Sequence, residues 1–287
     1  MDGFQSAATR AILSDEQVRD YRRDGAVLVR GVLDAAWLDR LGRLVEELLP
    51  TGRSMDRYEA DRGDCHERKP EDATILIDSA SRSHESARAL VFDSPFGQIA
   101  AEGMRSRSAR LYEDLILYRR AGSATPTVWH QDSPMWPMTG DQMSSVWFSL
   151  DAMRPETGAL RFVAGTHKGP AYVQYVPRAR RELVEADRQA MPGGPMPAIE
   201  GHEQDFDILS FATEPGDIVL FSPKVIHATY GSVSDRPKRS FSVRYLGDDI
   251  RWLNKPYGGF HAWMKDIAIE DGDPLEHACF PQVWPKT

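Results

Sequence analysis

The sequence predicts a mainly β fold with flanking helices, a sandwich or jelly-roll barrel carried by the second half of the chain. Two observations predict it. From Ala109 onward, short alternating or apolar runs (ARLYEDLILYR, SSVWFSLDAM, GALRFVAGTH, GDIVLFSP, HATYGSV, RSFSVRYLGD) follow one another with Gly/Pro/Asp turn signals between them, the pattern of short strands joined by turns. The same stretch lacks the strand–helix alternation that a parallel α/β sheet requires. Size agrees: 287 residues, 41% hydrophobic and 27% charged, is an ordinary globular composition, and all-β domains of this length occur singly. We expect one domain over 1–287, with a helical preface over about 1–108, a jelly-roll core over about 109–250 and a C-terminal closure over 251–287.

Taken in order, residues 14–24 (SDEQVRDYRRD) read as a short helix. Ser14 with Gln17 has the form of a capping box, and Gly25 can take the left-handed conformation that closes the helix. AVLVRGVL, next along the chain, is rich in β-branched and apolar residues and reads as a strand. A second helix is expected over about 34–49, where Leu38, Leu41, Val45 and Leu48 recur at helical spacing before Pro50 and Gly52. The segment from Arg53 to Asp72 is charged and nearly free of large apolar residues, and reads as a surface loop. One further helix is expected between about Ser86 and Glu102. Within the β region, residues 177–206 hold a charged, helix-compatible stretch (RARRELVEADRQ) and then MPGGPMPAIEG. An excursion of that length between strands is more often functional than inert, so it joins the 53–72 loop as a candidate lid.

Charge and composition exclude several classes of function. Lys+Arg 35 against Asp+Glu 43 leaves a net charge of −8, which argues against nucleic acid and anionic membrane, since both select a basic surface. No run approaches the ~18 consecutive apolar residues of a membrane span. The N-terminus has no basic start followed by an apolar stretch, so no signal peptide is read and a cytoplasmic location is expected. Cys65 and Cys279 are the two cysteines, too few for a disulfide framework or a cysteine-based zinc site.

Chemistry enters at His130-Gln131-Asp132. A His and an Asp two apart on an extended chain point to the same side, so both can bind one ion. Alone the pair is weak, since on the order of one His-x-Asp is expected by chance here, and the plain reading of a single His is a surface or hydrogen-bonded one. His227 changes those odds, lying in GDIVLFSPKVIHATYGS after a turn, a buried strand and a second turn. Two neutral imidazoles and one carboxylate on a β-barrel form the facial triad of non-haem Fe(II) oxygenases, which leaves open positions on the iron. Arg239, at the head of RSFSVRYLGD, suits bidentate pairing with the distal carboxylate of a dicarboxylic cosubstrate. It could also be a strand-edge charge, and Lys238 beside it keeps that assignment open. Thr229 could add a hydroxyl donor to the same carboxylate.

The stretch VWHQDSPMWPMTGDQMSSVWFSLDAMRPETGALRFVAGTHKGP resembles the core of the phytanoyl-CoA dioxygenase family, and GDIVLFSPKVIHATYGSVSDRPKRSFSVRYLGDD resembles that family's distal-His and Arg segment. The likeness runs over about residues 14–285, through the closing GDPLEHACFPQVWP. It implies a double-stranded β-helix (jelly-roll, cupin-like) fold with N-terminal helices packed outside. It also implies Fe(II) held by His130, Asp132 and His227, and 2-oxoglutarate held by Arg239. By the same likeness Trp147 lines the cosubstrate pocket, Thr229 stands where relatives have Ser or Thr, and Arg119 stands where relatives carry Lys, with a cosubstrate or structural role. Arg239 lies one residue further from the distal histidine than in the best-known members, which leaves Lys238 as its competitor. A halogenase-type member would carry Gly or Ala in place of Asp132. The implied activity uses O2 and 2-oxoglutarate to hydroxylate a C–H bond of a small organic molecule, releasing succinate and CO2.

Around the ligand pair, Trp129, Met135, Trp136 and Met138 cluster on a loop stiffened by Pro134 and Pro137. They form either the mouth of an apolar substrate pocket or a simple cover over the barrel end. His202 reads as a surface or substrate-side residue, and His167 as structural. A cosubstrate-independent isomerase or lyase of the cupin type is the alternative function, and it would not need a carboxylate anchor beside the metal.

Overall fold

Ser14 accepts from the Gln17 amide at 3.1 Å while the Gln17 side chain accepts from the Ser14 amide at 2.9 Å, so helix α1 (Asp15–Asp24) opens on a two-way cap. Gly25 closes it at φ 88, a left-handed geometry that glycine adopts at little cost. Strand β1 (Ala26–Val29) follows, then α2 (Ala35–Leu48), whose N-terminus is capped by Asp34. Of the expected stripe on α2, Leu41 and Val45 are buried along with Leu44, and Leu38 and Leu48 pack at the margin of the same core. The computed structural model describes residues 10–54, 74–123, 126–172, 193–231, 234–254, 262–264 and 267–286. Most of the loop read over 53–72, and the helix-compatible stretch of the later excursion, lie outside the described residues. Arg53–Ser54 forms a short strand, β2, paired with β3 (Ile75–Asp78).

The single helix expected between Ser86 and Glu102 is two, α3 (Glu85–Asp93) and α4 (Phe96–Met104). The break falls at Ser94-Pro95, because proline has no N–H for the helical ladder and pushes the residue before it out of helical geometry. Eleven further strands follow among the described residues: β4 (Ala109–Arg119), β5 (Thr127–His130), β6 (Met138–Thr139), β7 (Met143–Ser149), β8 (Leu160–Val163), β9 (Ile208–Ser210), β10 (Ile218–Phe221), β11 (His227–Thr229), β12 (Lys238–Leu246), β13 (Arg251–Trp252) and β14 (Gln282–Trp284). No helix among the described residues is long and apolar enough to cross a membrane.

The strands build a jelly roll from two antiparallel sheets, with β6 and β13 paired separately as a two-stranded ladder. The larger runs β1-β10-β7-β12-β4-β3-β2, with β14 also on β4; the smaller runs β5-β11-β8-β9. The preface therefore contributes strands as well as helices to the large sheet. Alternation along each strand sorts side chains onto two faces. On β12, Phe241, Val243 and Tyr245 enter the core shared with α1–α4, which leaves Lys238, Ser240, Ser242 and Arg244 on the face towards the smaller sheet. On β7 the same alternation sends Val146 and Phe148 to the helices and Trp147 inward, where it packs with Phe162, Val219 and Phe221. Gly103 lets α4 lie close on the large sheet, since a Cβ there would stand 2.5 Å from Leu220 Cδ2. One end of the barrel is covered by Tyr112, Trp136, Met138, Trp252, Leu275 and Phe280. That places Trp252 in packing, together with Trp263, which is partly buried against the same cluster.

Asp114 is a buried carboxylate on the helix side of β4, taking hydrogen bonds from the Ser81 amide at 3.1 Å and the Ser81 hydroxyl. Burial pushes it up from 3.8 to about 6, against the pull of the Ser81 hydrogen bonds. A raised folded value means that its stabilising contribution is complete below the unfolded carboxylate's range and is lost as pH rises to about 6. The displacement is worth on the order of 3 kcal/mol. Urea unfolding at about pH 4 and about pH 7 should show the wild type losing stability relative to Asp114→Asn across that interval. Parallel changes in the two proteins would show that Asp114 does not titrate there.

Candidate metal centre

His130 and His227 face each other as cross-strand partners on β5 and β11, with ring centroids 4.1 Å apart. The register slips between His227 and Thr229, a bulge of the kind that re-aims side chains beside active sites. Each ring is fixed by its own chain: Nδ1 of His130 lies 2.9 Å from the Val128 carbonyl, and Nδ1 of His227 lies 3.0 Å from the Val225 carbonyl. A carbonyl only accepts, so Nδ1 carries the proton and each Nε2 presents its lone pair. Asp132 follows β5 in a turn whose amides, Asp132 and Ser133, both donate to the Pro223 carbonyl. Its oxygens lie 3.5 Å from His130 Nε2 and 3.9 Å from His227 Nε2. One donor atom from each of the three side chains lies within 4.8 Å of the others. Two neutral imidazoles and one carboxylate suit a divalent first-row metal such as Fe(II), so the residues present fit that ion.

Charge around the cluster favours ligand forms. Burial, then the neighbouring His130 ring, push His227 down to about 3, which keeps it neutral near pH 7. Burial, the largest single effect, would raise Asp132, but the Arg244 guanidinium, His130 and His227 together outweigh it and hold the carboxyl well below the usual carboxylate range. Arg244 Nη2 donates to Asp132 Oδ2 at 2.9 Å, and Nη1 donates to Glu113. Sequence reasoning missed both Arg244 and Glu113. The signal was present: Arg244 continues the alternation Ser240, Ser242 against Phe241, Val243, Tyr245, so an ionic side chain sits inward on a buried strand.

The remaining expected residues divide by strand face. Arg119 pairs with Lys238 across β4 and β12, and its Nη2 lies 3.3 Å from the Thr229 hydroxyl. Trp147 is on the same inner side, beside Phe221, whose ring centroid is 5.0 Å from that of His227. Arg239 departs from expectation. It alternates with Lys238, shares the face of Phe241 and Val243, and its guanidinium is held by Asp151 at 2.8 and 3.1 Å. Lys238 takes the inward position instead, with Nζ 3.1 Å from the Ala152 carbonyl.

The loop aromatics also part company. Trp129 does not line the inner space, because alternation puts it opposite His130. It packs with Val163, Ile199, Ile226 and Ala228 on the outer face of the small sheet, under the Arg161 guanidinium at 4.6 Å. Trp136 is buried against Tyr112 with ring centroids 4.7 Å apart, so it covers the barrel end, while Met135 is partly exposed. The Gln131 amide donates to the Lys224 carbonyl at 2.7 Å and accepts from the Tyr172 amide at 3.0 Å, tying the loop after β5 to its neighbours. The described part of the excursion, with Met196, Ile199 and Phe206, packs on that same outer face. His202 is exposed, and His167 packs beneath Gly25.

Comparison with known proteins adds three findings. Residues 21–240 match the family described as phytanoyl-CoA dioxygenase (PhyH). A probable phytanoyl-CoA dioxygenase from Caenorhabditis elegans is 28% identical over 131 residues, 44% of this chain and 38% of that protein, so the match spans well under two thirds of the relative's length. Among solved structures, the non-heme alpha ketoglutarate dependent carbocyclase SnoK from nogalamycin biosynthesis superposes with a TM-score of 0.72 at 20% identity, over 94% of this chain and 96% of that one. The epimerase SnoN, solved with Fe3+, alpha ketoglutarate and nogalamycin RO, gives 0.69 at 20% identity, over 93% and 97%. At that identity the two structures establish the shared fold.

Proposed function

The chain belongs to the phytanoyl-CoA dioxygenase family, and on that premise we propose that it is an Fe(II)- and 2-oxoglutarate-dependent dioxygenase that hydroxylates a C–H bond of a small organic molecule. The observation that carries this reading is the convergence of His130, Asp132 and His227, with both imidazoles turned Nε2-first towards the carboxylate. These three residues would hold the iron. Iron with 2-oxoglutarate and O2 supplies the oxidising power that no side chain has, with succinate and CO2 as the co-products. The protein positions the reactants and excludes competing reactions.

Lys238, rather than Arg239, would bind the distal carboxylate of 2-oxoglutarate. Lys238 lies on the inner face opposite Arg119, whose guanidinium reaches Thr229, so two cations and a hydroxyl gather on one side of the barrel interior. A lysine meets a carboxylate as a point charge with three donors, without the planar fork of arginine. Trp147 would wall the same space. A cosubstrate-free isomerase would have no use for this pair of inward cations. The strands of the preface belong to the large sheet, which supports one catalytic domain over the chain.

The reading is tested by incubating the protein with Fe(II), 2-oxoglutarate and O2, with and without candidate substrates, and measuring succinate. Slow succinate release alone, accelerated by a substrate that gains one hydroxyl, is the expected result. No succinate under any condition, combined with no binding of 2-oxoglutarate, would overturn it.

A further inference from the structure

We propose, resting on the metal-centre reading above, that Arg244 buttressed by Glu113 is a positioning residue that dictates how Asp132 meets the metal. It engages one carboxylate oxygen and leaves a single oxygen free to coordinate. The contacts come from three separate elements. Arg244 is on β12, Glu113 on β4, and Asp132 in the turn after β5; Arg244 Nη2 to Asp132 Oδ2 is 2.9 Å, and Nη1 donates to Glu113. The Arg244, Glu113 and Asp132 side chains are 14%, 3% and 10% exposed, so water competes weakly for these hydrogen bonds. The guanidinium carbon stands 5.3 Å from the centroid of the Trp136 ring, which closes the cluster from the barrel end.

Geometry makes arginine the suitable residue. Its rigid, planar fork can hold two carboxylates at once in fixed directions, which a lysine cannot do. Two carboxylates and one guanidinium leave one net negative charge beside two neutral imidazoles, a complement to a divalent cation. An unrestrained aspartate can chelate through both oxygens and occupy a position that cosubstrate or O2 requires. With Oδ2 committed to Arg244, that option is removed before the metal arrives. Arg244 thereby separates two enclosed like charges, Glu113 and Asp132, with a cation.

Anaerobic titration of Fe(II) into metal-free wild type, Arg244→Lys and Glu113→Gln, with thermal unfolding of each, separates positioning from mere stabilisation. Arg244→Lys retains the charge but lacks the planar fork that fixes the directions of the two carboxylates, and is expected to weaken the Fe(II) Kd by about 10–100-fold, the usual cost of losing a partner that orients a ligand. Glu113→Gln leaves Arg244 on Asp132 with a weaker buttress and should show a smaller loss in the same direction. Wild-type Fe(II) affinity in Arg244→Lys, whatever its Tm, would overturn the proposal. If Arg244→Lys does not fold, Glu113→Gln decides by the same criterion: a weakened Kd supports the proposal and an unchanged one overturns it. Absence of Fe(II) binding by the wild type would overturn the metal-centre reading and this proposal together, whereas wild-type binding with unchanged variants overturns this proposal alone.

Discussion

His227→Ala and Asp132→Ala are each expected to yield folded protein that retains no Fe(II) after desalting and releases succinate no faster than the iron-containing buffer. His227 lies at the centre of the site, buried at 4% exposure between Phe162, Phe221 and His130. Its removal deletes one of three ligands, and the two that remain bind a metal far more weakly than a preformed trio. Asp132→Ala has a second consequence, because it strips the Arg244 guanidinium of one of its two carboxylates. Metal content by elemental analysis and succinate by chromatography read the two effects separately. Iron retained at wild-type stoichiometry in either variant would remove that residue from the ligand set.

The second large effect separates two neighbours on one strand. Lys238→Ala should raise the 2-oxoglutarate concentration needed for half-maximal succinate release by on the order of 10–100-fold, equivalent to losing one charged hydrogen bond of roughly 1.5–3 kcal/mol. Arg239→Ala should leave that requirement unchanged. Its guanidinium belongs to Asp151 on the helix side, and a part-exposed pair of this kind contributes at most about 1 kcal/mol to stability. The converse outcome, a shift with Arg239→Ala and none with Lys238→Ala, would restore the arginine as the anchor and place β12 in a different register.

That pair of residues also shows where the sequence stops being legible. Local signals with a short-range cause were readable in full: the Ser14–Gln17 cap, the Gly25 terminator, the stripe on α2, and the strand runs after Ala109. The triad was readable because its residue types are rare together and His130 and Asp132 lie close in sequence. Strand face was not. Both faces of the large sheet are covered, one by helices and one by the smaller sheet, so burial does not mark which side looks at the metal. In RSFSVRYL the apolar set Phe241, Val243 and Tyr245 points away from the site, and the polar set Ser240, Ser242 and Arg244 points into it. The bidentate fork of Arg239 suggested a carboxylate partner correctly, but that partner is Asp151. Trp129 misled for the same reason, since the residue next to an inward ligand on a strand faces outward. Pro95 was a visible break in the helix expected from Ser86 to Glu102, but the apolar residues on either side of it bridge the gap to the eye.

This metal site and these inward cations are expected to act together as a 2-oxoglutarate centre. Anaerobic calorimetric titration of 2-oxoglutarate into the metal-free protein and into the Fe(II)-loaded protein tests it most directly. Saturable one-to-one binding to the Fe(II)-loaded wild type, much weaker binding without metal, and none to His227→Ala in the presence of Fe(II) is the expected result. Fe(II)-loaded wild type that takes up no 2-oxoglutarate, or binding of equal strength with and without the metal, would contradict it.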